Sequence, residues 1–215
     1  MRRGGWRLIP LGLFLLFGTL FLPPHAGAGE LEKFLDRVES SAARIDSFSC
    51  DFRQERNLAL FARPVIFSGR LYLARPDRLR WEFAKPIPSL LILDGNTGRR
   101  CGEGNPASEF RLDRDPVMRL VAEQLRTWTG GGYRQLQGDF TLELEAGPAL
   151  SLKPRQAGLA SFLNRILVEF DPQTLQPVRV KIVEEGEDNT VISFSNYRLN
   201  PPLPPELFSE CRINP

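Results

Sequence analysis

Few residues of this sequence could do chemistry, and they do not combine. The single histidine is His25, and residues 29–215 contain none. Without an imidazole there is no Ser-His-Asp or Cys-His nucleophile and no His-ligated metal. Carboxylates pair at Glu184-Glu185 and at Asp113 with Asp115. Both pairs fall at turns or helix starts, where water faces them, which argues against a lipid hydrolase. Cys50, Cys101 and Cys211 allow at most one intramolecular disulfide and leave one thiol over. Cys50 shares parity with Phe48 and Phe52 and reads as a buried, inert thiol. Cys101 with Cys211 is the preferred pair, with the other pairings open. No catalytic residue, metal or cofactor is expected.

Arg75 breaks a pattern instead of completing a site. From Phe67 to Gly95 the chain reads FSGRLYLARPDRLRWEFAKPIPSLLILDG. Phe67, Gly69, Leu71 and Leu73 fall on one side; Ser68, Arg70 and Tyr72 fall on the other. After Pro76-Asp77 the alternation resumes: Leu79, Trp81 and Phe83 point one way, Arg78, Arg80 and Glu82 the other. This period of two marks antiparallel strands with one apolar and one wet face. A short apolar strand, Leu90 to Leu93, follows and ends in the hairpin signal Asp94-Gly95-Asn96. Arg75 shares the parity of Leu71 and Leu73. Either it projects at the rim of the apolar face and needs partners, or it already belongs to the turn and is solvated.

The N-terminus must be set aside before the fold is read. Arg2, Arg3 and Arg7 precede an apolar run from Leu8 to Leu22, and Ala26-Gly27-Ala28 is a small-x-small cleavage site. Residues 1–28 therefore read as a cleaved signal peptide, and 29–215 as a single domain, soluble after export. Cleavage lowers the 28 Lys and Arg to 25 against 26 Asp and Glu, a formal −1. Nothing suggests nucleic-acid binding.

The remaining elements follow in order. Glu30 to Asp46 is an amphipathic helix with Leu31, Phe34, Leu35, Val38, Ala42 and Ile45 on one stripe. Phe48–Glu55 is a strand. Residues 57–63 are a loop with an odd apolar content, Leu58, Leu60 and Phe61. After Asn96, Gly98, Gly102, Gly104 and Pro106 mark a loop. Asp113–Thr129 is a second helix, capped by Asp115-Pro116, with Val117, Leu120, Val121, Leu125 and Trp128 as its stripe. Between glycine-rich loops it is either a movable lid or a fixed plug. Strands are expected at Tyr133–Leu136, Phe140–Leu144, Leu150–Lys153, Ile166–Phe170, Val178–Glu184, Val191–Leu199 and Leu207–Ile213, with a loop or helical turn at Ala157–Phe162. The fold class is mainly β: about 10–11 strands in a curled antiparallel sheet, an incomplete barrel capped by two or three short helices over a hydrophobic cavity. The candidate lining is Phe52, Phe67, Leu71, Leu73, Leu79, Trp81, Phe83 and Leu91, a bulky apolar set that suits acyl chains.

Gly69-x-Leu71-x-x-x-Arg75-Pro76, the strand with Trp81, and Leu90-Leu91-Ile92-Leu93-Asp94-Gly95 resemble the LolA-type periplasmic lipoprotein carriers. Phe48-x-x-x-Phe52-x-Gln54, Leu152-Lys153-Pro154 and the late Phe194 extend the likeness over the whole chain after the signal. The resemblance implies a monomeric periplasmic carrier. It takes acylated lipoproteins or lipids from an inner-membrane export complex to an outer-membrane acceptor. It also implies that Arg75 gates a lid by hydrogen bonds to helix backbone carbonyls. Leu79 stands where carriers often have Phe, and Thr97-Gly98-Arg99-Arg100-Cys101 replaces an aromatic strand. The run Gln54-Glu55-Arg56-Asn57-Leu58 resembles relatives from lipid and pigment export, which makes a glycolipid or polyene-lipid cargo an alternative. A binding or sensor module on the same fold is a further reading.

Overall fold

The computed structural model describes residues 26–102, 105–186 and 188–212. Most of the signal segment, residues 1–25, lies outside them, as does Ile213. Eleven strands form one antiparallel sheet. They are β1 Ser47–Asn57, β2 Val65–Ala74, β3 Arg78–Lys85, β4 Ser89–Asp94, β5 Thr97–Gly102, β6 Asn105–Arg111, β7 Phe140–Glu145, β8 Ala149–Pro154, β9 Leu163–Phe170, β10 Pro177–Glu184 and β11 Asn189–Leu199. The helices are α1 Ala26–Ala42, α2 Pro116–Gly130 and α3 Ala157–Ala160. The spatial order is β6-β5-β4-β3-β2-β1-β11-β10-β9-β8-β7. The first and last strands thus pair in the middle, and the edges are β6 and β7. Trp81 of β3 and Val180 of β10 line one small cavity. Those strands are four spacings apart, about 19 Å in a flat sheet, so the sheet curls around its apolar face.

Two helices cover that face. Phe34, Leu35 and Val38 of α1 pack on Leu150, Leu152, Ile166, Val168, Phe170 and Val180. Met118, Ala122 and Leu125 of α2 pack on Phe48, Leu71, Leu73, Leu79 and Leu93. These three recur at helical spacing, which is why this side of α2 is apolar. The other expected stripe positions, Val117, Leu120, Val121 and Trp128, lie outside the described side chains. Asp115 caps α2 as expected, its Oδ1 accepting from the Met118 N–H at 3.0 Å.

Several local expectations are corrected. Thr97–Gly102 and Asn105–Arg111, expected as loop, are the strands β5 and β6, and Gly104 lies outside the described residues. Gly98 makes this pairing possible, since a Cβ there would lie 2.1 Å from the ring of Phe110. Tyr133–Leu136 is not a strand; Tyr133–Gly138 is a 3-10 helix. Tyr133 and Leu136, three apart, turn inward together and are both buried. Leu207–Ile213 is not a strand either. The 3-10 helix Pro205–Phe208 and the chain after it cross the outer face of β3–β5. The first helix ends at Ala42, before Asp46.

That crossing segment overturns a further expectation. Arg80 and Glu82 do not face water: they are only 1% and 2% exposed. Their ion pair, 2.9 Å between Arg80 Nε and Glu82 Oε2, lies under the C-terminal segment. Arg80 also donates to the carbonyls of Leu207 at 2.9 Å, Glu210 at 3.0 Å, and Arg212. Cys101 and Cys211 form a disulfide that ties the segment to β5, with Cα atoms 5.7 Å apart. Cys50 is a free, buried thiol.

Candidate functional site

Register brings the eight candidate lining residues onto one face. Leu71 lies opposite Trp81, and Trp81 opposite Leu91. Leu73 lies opposite Leu79, and Phe52 faces Phe83 across Gly69. Phe52, Leu71, Leu73 and Leu79 are buried; Phe67, Trp81, Phe83 and Leu91 are half-buried. Phe52 meets Trp81 and Phe83 edge-on at 5.6 and 5.1 Å, and Trp81 stacks on Phe83 at 5.4 Å. Phe67 completes the group at 6.1 Å from Phe83. Glycine is required at Gly69: a Cβ there would lie 1.8 Å from the Glu82 carbonyl oxygen and 3.0 Å from the Phe52 ring.

Between α2 and the sheet lies an apolar cavity of about 20 Å³, lined by Leu71, Trp81, Leu125, Val180, Phe194 and Tyr197 among others. That is about the room of one water molecule. An acyl chain entering this space must displace side chains or a helix. The Trp81 Nε1 is buried with no hydrogen-bond partner.

Two arginines tie the helices to the strand turns. Arg75 donates from Nε to the Ile45 carbonyl at 2.8 Å and from Nη2 to the Ala42 carbonyl at 3.0 Å. Its own N–H donates to the Asp46 carbonyl at 2.8 Å. It therefore holds the end of α1. The tie from α2 is Arg126, whose Nη2 donates to the carbonyls of Asp77 at 3.0 Å and Gly95 at 2.7 Å. Sequence reasoning missed Arg126, because nothing local marks a helix arginine that spans two hairpin turns. The helices meet at Gly131, the left-handed C-cap of α2 at φ 78°. A Cβ there would lie 2.6 Å from the Ala42 Cβ. A cleft of about 180 Å³ runs beside Arg75 and Arg126. Arg134 binds α1 from the other side, pairing with Glu32, with Asp36 at 2.6 Å and with Glu39 at 3.3 Å.

Residues 43–211 match the family model of the outer membrane lipoprotein carrier protein LolA. The chain belongs to the LolA family. The outer-membrane lipoprotein carrier protein of Dechloromonas aromatica is 26% identical over 208 residues, covering 89% of this chain and 87% of that one. That of Xanthomonas oryzae pv. oryzae is 28% identical over 154 residues, 66% of each chain. Among solved structures, an uncharacterized conserved protein from Thermus thermophilus superposes with a TM-score of 0.54 at 15% identity, covering 84% of this chain and 93% of that chain. MucB superposes with a TM-score of 0.51 at 14% identity, covering 84% and 62%. At such identities these two show the fold alone. The LolA relatives named above are outer-membrane lipoprotein carrier proteins. Among the described residues no helix is long and apolar enough to cross a membrane.

Proposed function

We propose that this protein is a periplasmic carrier that shields the acyl chains of lipoproteins between the inner and outer membranes. The observation that carries this reading is the placement of the eight apolar residues on the sheet face beneath α1 and α2. Residues 1–28 serve as its signal peptide, so cleavage after Ala28 leaves the last fourteen residues of α1, Gly29 to Ala42. An inner-membrane complex is the donor and an outer-membrane protein the acceptor; the carrier works as a monomer without a cofactor.

The energetics require a gate. Each buried methylene contributes about 0.8 kcal/mol, so a chain of about fourteen gains on the order of 11 kcal/mol. A cargo held that firmly would not be released. The closed arrangement, held by Arg75 and Arg126 and filled by Trp81, Phe194 and Leu125, competes with cargo and offsets part of that gain. Arg75 is thus the gating residue through the carbonyls of Ala42 and Ile45.

The test is native mass spectrometry with lipid extraction on protein recovered from the periplasm without detergent, beside Arg75→Leu. The expected result is a bound acylated species, retained more firmly by the variant because its closed state has lost two hydrogen bonds. A glycolipid in place of a lipoprotein would assign the protein to lipid export. An empty protein that also takes up no lipidated protein from membrane vesicles overturns the carrier reading.

A further inference from the structure

The β1–β2 loop, the start of β2 and the β3–β4 loop carry large apolar side chains that the fold leaves exposed. Leu60 is 89% exposed, Phe61 55%, Ile66 43% and Ile87 71%. Register places them together. Arg56 pairs with Val65, Ser68 with Lys85, and Phe83 with Ser89. Residues 57–64 and 86–88 therefore leave adjacent strand pairs at the same end of the sheet. The segments 56–66 and 84–88 contain Arg56, Arg63 and Lys85 and no acidic residue. Two carboxylates border this end: Asp188, whose Oδ1 accepts from the Ala59 N–H at 2.7 Å, and Glu55, which pairs with Arg53. The three cations of the segments outnumber Asp188, the one not paired with an arginine there. Phe162 is also exposed at this end, but Glu184 and Glu185 stand beside it, so it is left out of the cationic rim.

Leu60, Phe61 and Ile87 stand on loops that continue beyond the paired strand ends, and Ile66, Arg56 and Lys85 stand on the strand ends beneath them. Projecting apolar tips with cations at their base suit the interface of an anionic bilayer, where tips enter the acyl boundary and cations meet phosphates. The same end of the sheet carries Phe67 and Phe83 on the inner face, half-buried. A protein seated this way presents the aromatic end of its interior to the membrane.

We propose that Leu60, Phe61, Ile66 and Ile87, with Arg56, Arg63 and Lys85, form a rim that docks on an anionic bilayer surface. The test is flotation of the periplasmically recovered protein with phosphatidylethanolamine vesicles containing phosphatidylglycerol, beside phosphatidylcholine vesicles. Wild type floats with the anionic vesicles, and raising salt to about 0.5 M weakens this by screening. The double variant Leu60→Asp/Ile87→Asp loses at least about tenfold in vesicle affinity. Arg63→Ala and Lys85→Ala each lose about fivefold on anionic vesicles and nothing on phosphatidylcholine. Melting temperatures stay at the wild-type value, because the substituted side chains are exposed. Uptake of an acylated peptide from free solution also stays at wild-type level, which separates docking from cargo binding. Failure of wild type to float, equal flotation of the double variant, or loss of peptide uptake in that variant overturns the docking rim. Failure of peptide uptake by wild type itself would instead count against the carrier reading.

Discussion

Arg75 donates from Nη2 to the carbonyl oxygen of Ala42, the last residue of α1, at 3.0 Å. A helix leaves its final carbonyls without intrahelical partners, and a cation there also meets the negative end of the helix dipole. Arg75 serves Ile45 with the same guanidinium. Discounted for its partial exposure to solvent, the pair of bonds contributes about 1–2 kcal/mol. Arg75→Leu should lower the unfolding free energy measured in urea by that amount, with a correspondingly lower midpoint, and Arg75→Lys should recover part of it. An unchanged midpoint in Arg75→Leu would mean that α1 is held by packing alone.

Arg126 is the corresponding tie for α2. Its bonds to the Asp77 and Gly95 carbonyls are the described link from this helix to the β2–β3 and β4–β5 turns. Arg126→Ala should speed amide hydrogen exchange across Met118–Leu125 while leaving Ile166–Phe170 protected, because local opening follows local contacts. Equal protection of α2 in both proteins would contradict a latch at this position.

The buried pair of Arg80 and Glu82 should be costly to break. Glu82→Gln leaves a guanidinium without its counter-ion under the C-terminal segment, an arrangement that typically costs about 3–5 kcal/mol. Chemical denaturation would measure it. A loss under about 1 kcal/mol would mean that the carbonyls of Leu207 and Glu210 suffice for Arg80.

Thiol counting tests the covalent framework. Burial pushes the Cys50 thiol up to about 12, against a smaller opposing hydrogen bond from Tyr197. Ellman's reagent should find no thiol in the native protein at pH 8 and one after denaturation without reductant. Cys101 and Cys211 are 110 residues apart. In the loop-closure model, Cys211→Ser then costs about 4–5 kcal/mol. Two or more thiols in the unreduced denatured protein would contradict the disulfide.

Acid should loosen the junction between β6 and α2. The Arg111 guanidinium beside Asp113 holds its carboxyl down to about 2, with help from Asn96. A depressed carboxylate stabilises the fold above its unfolded value near 3.8, and that contribution disappears as pH falls through about 2. Between pH 4 and pH 2 the wild-type melting temperature should therefore fall more steeply than that of Asp113→Asn. Parallel curves would remove Asp113 from the acid response.

Much of the fold was legible because a half-buried strand writes its environment into its own residues. Alternation located β1 to β4 and β7 to β11, and Asp115-Pro116 located the start of α2. All eight lining candidates came out on one face for the same reason: parity within a strand is local, and pairing preserves it. The strand count also agreed, but by compensation. Tyr133–Leu136 and Leu207–Ile213 were expected as strands and are not, while Thr97–Gly102 and Asn105–Arg111 are strands and were not expected.

What the sequence determined by itself is the set of faces: which residues of each strand turn together, and that their apolar side needs cover. What only the tertiary structure decided is what covers each face. Arg80 and Glu82 alternate like solvent residues, and a segment more than 120 positions later buries them. Gly98 reads as a loop residue until the Phe110 ring lies over it. Arg75 reads as a turn or rim cation until Ala42 and Ile45 present their carbonyls. Each of these outcomes depends on a partner distant in sequence. Period and propensity report only a residue's immediate neighbours, whereas burial and hydrogen bonding are settled when distant segments meet.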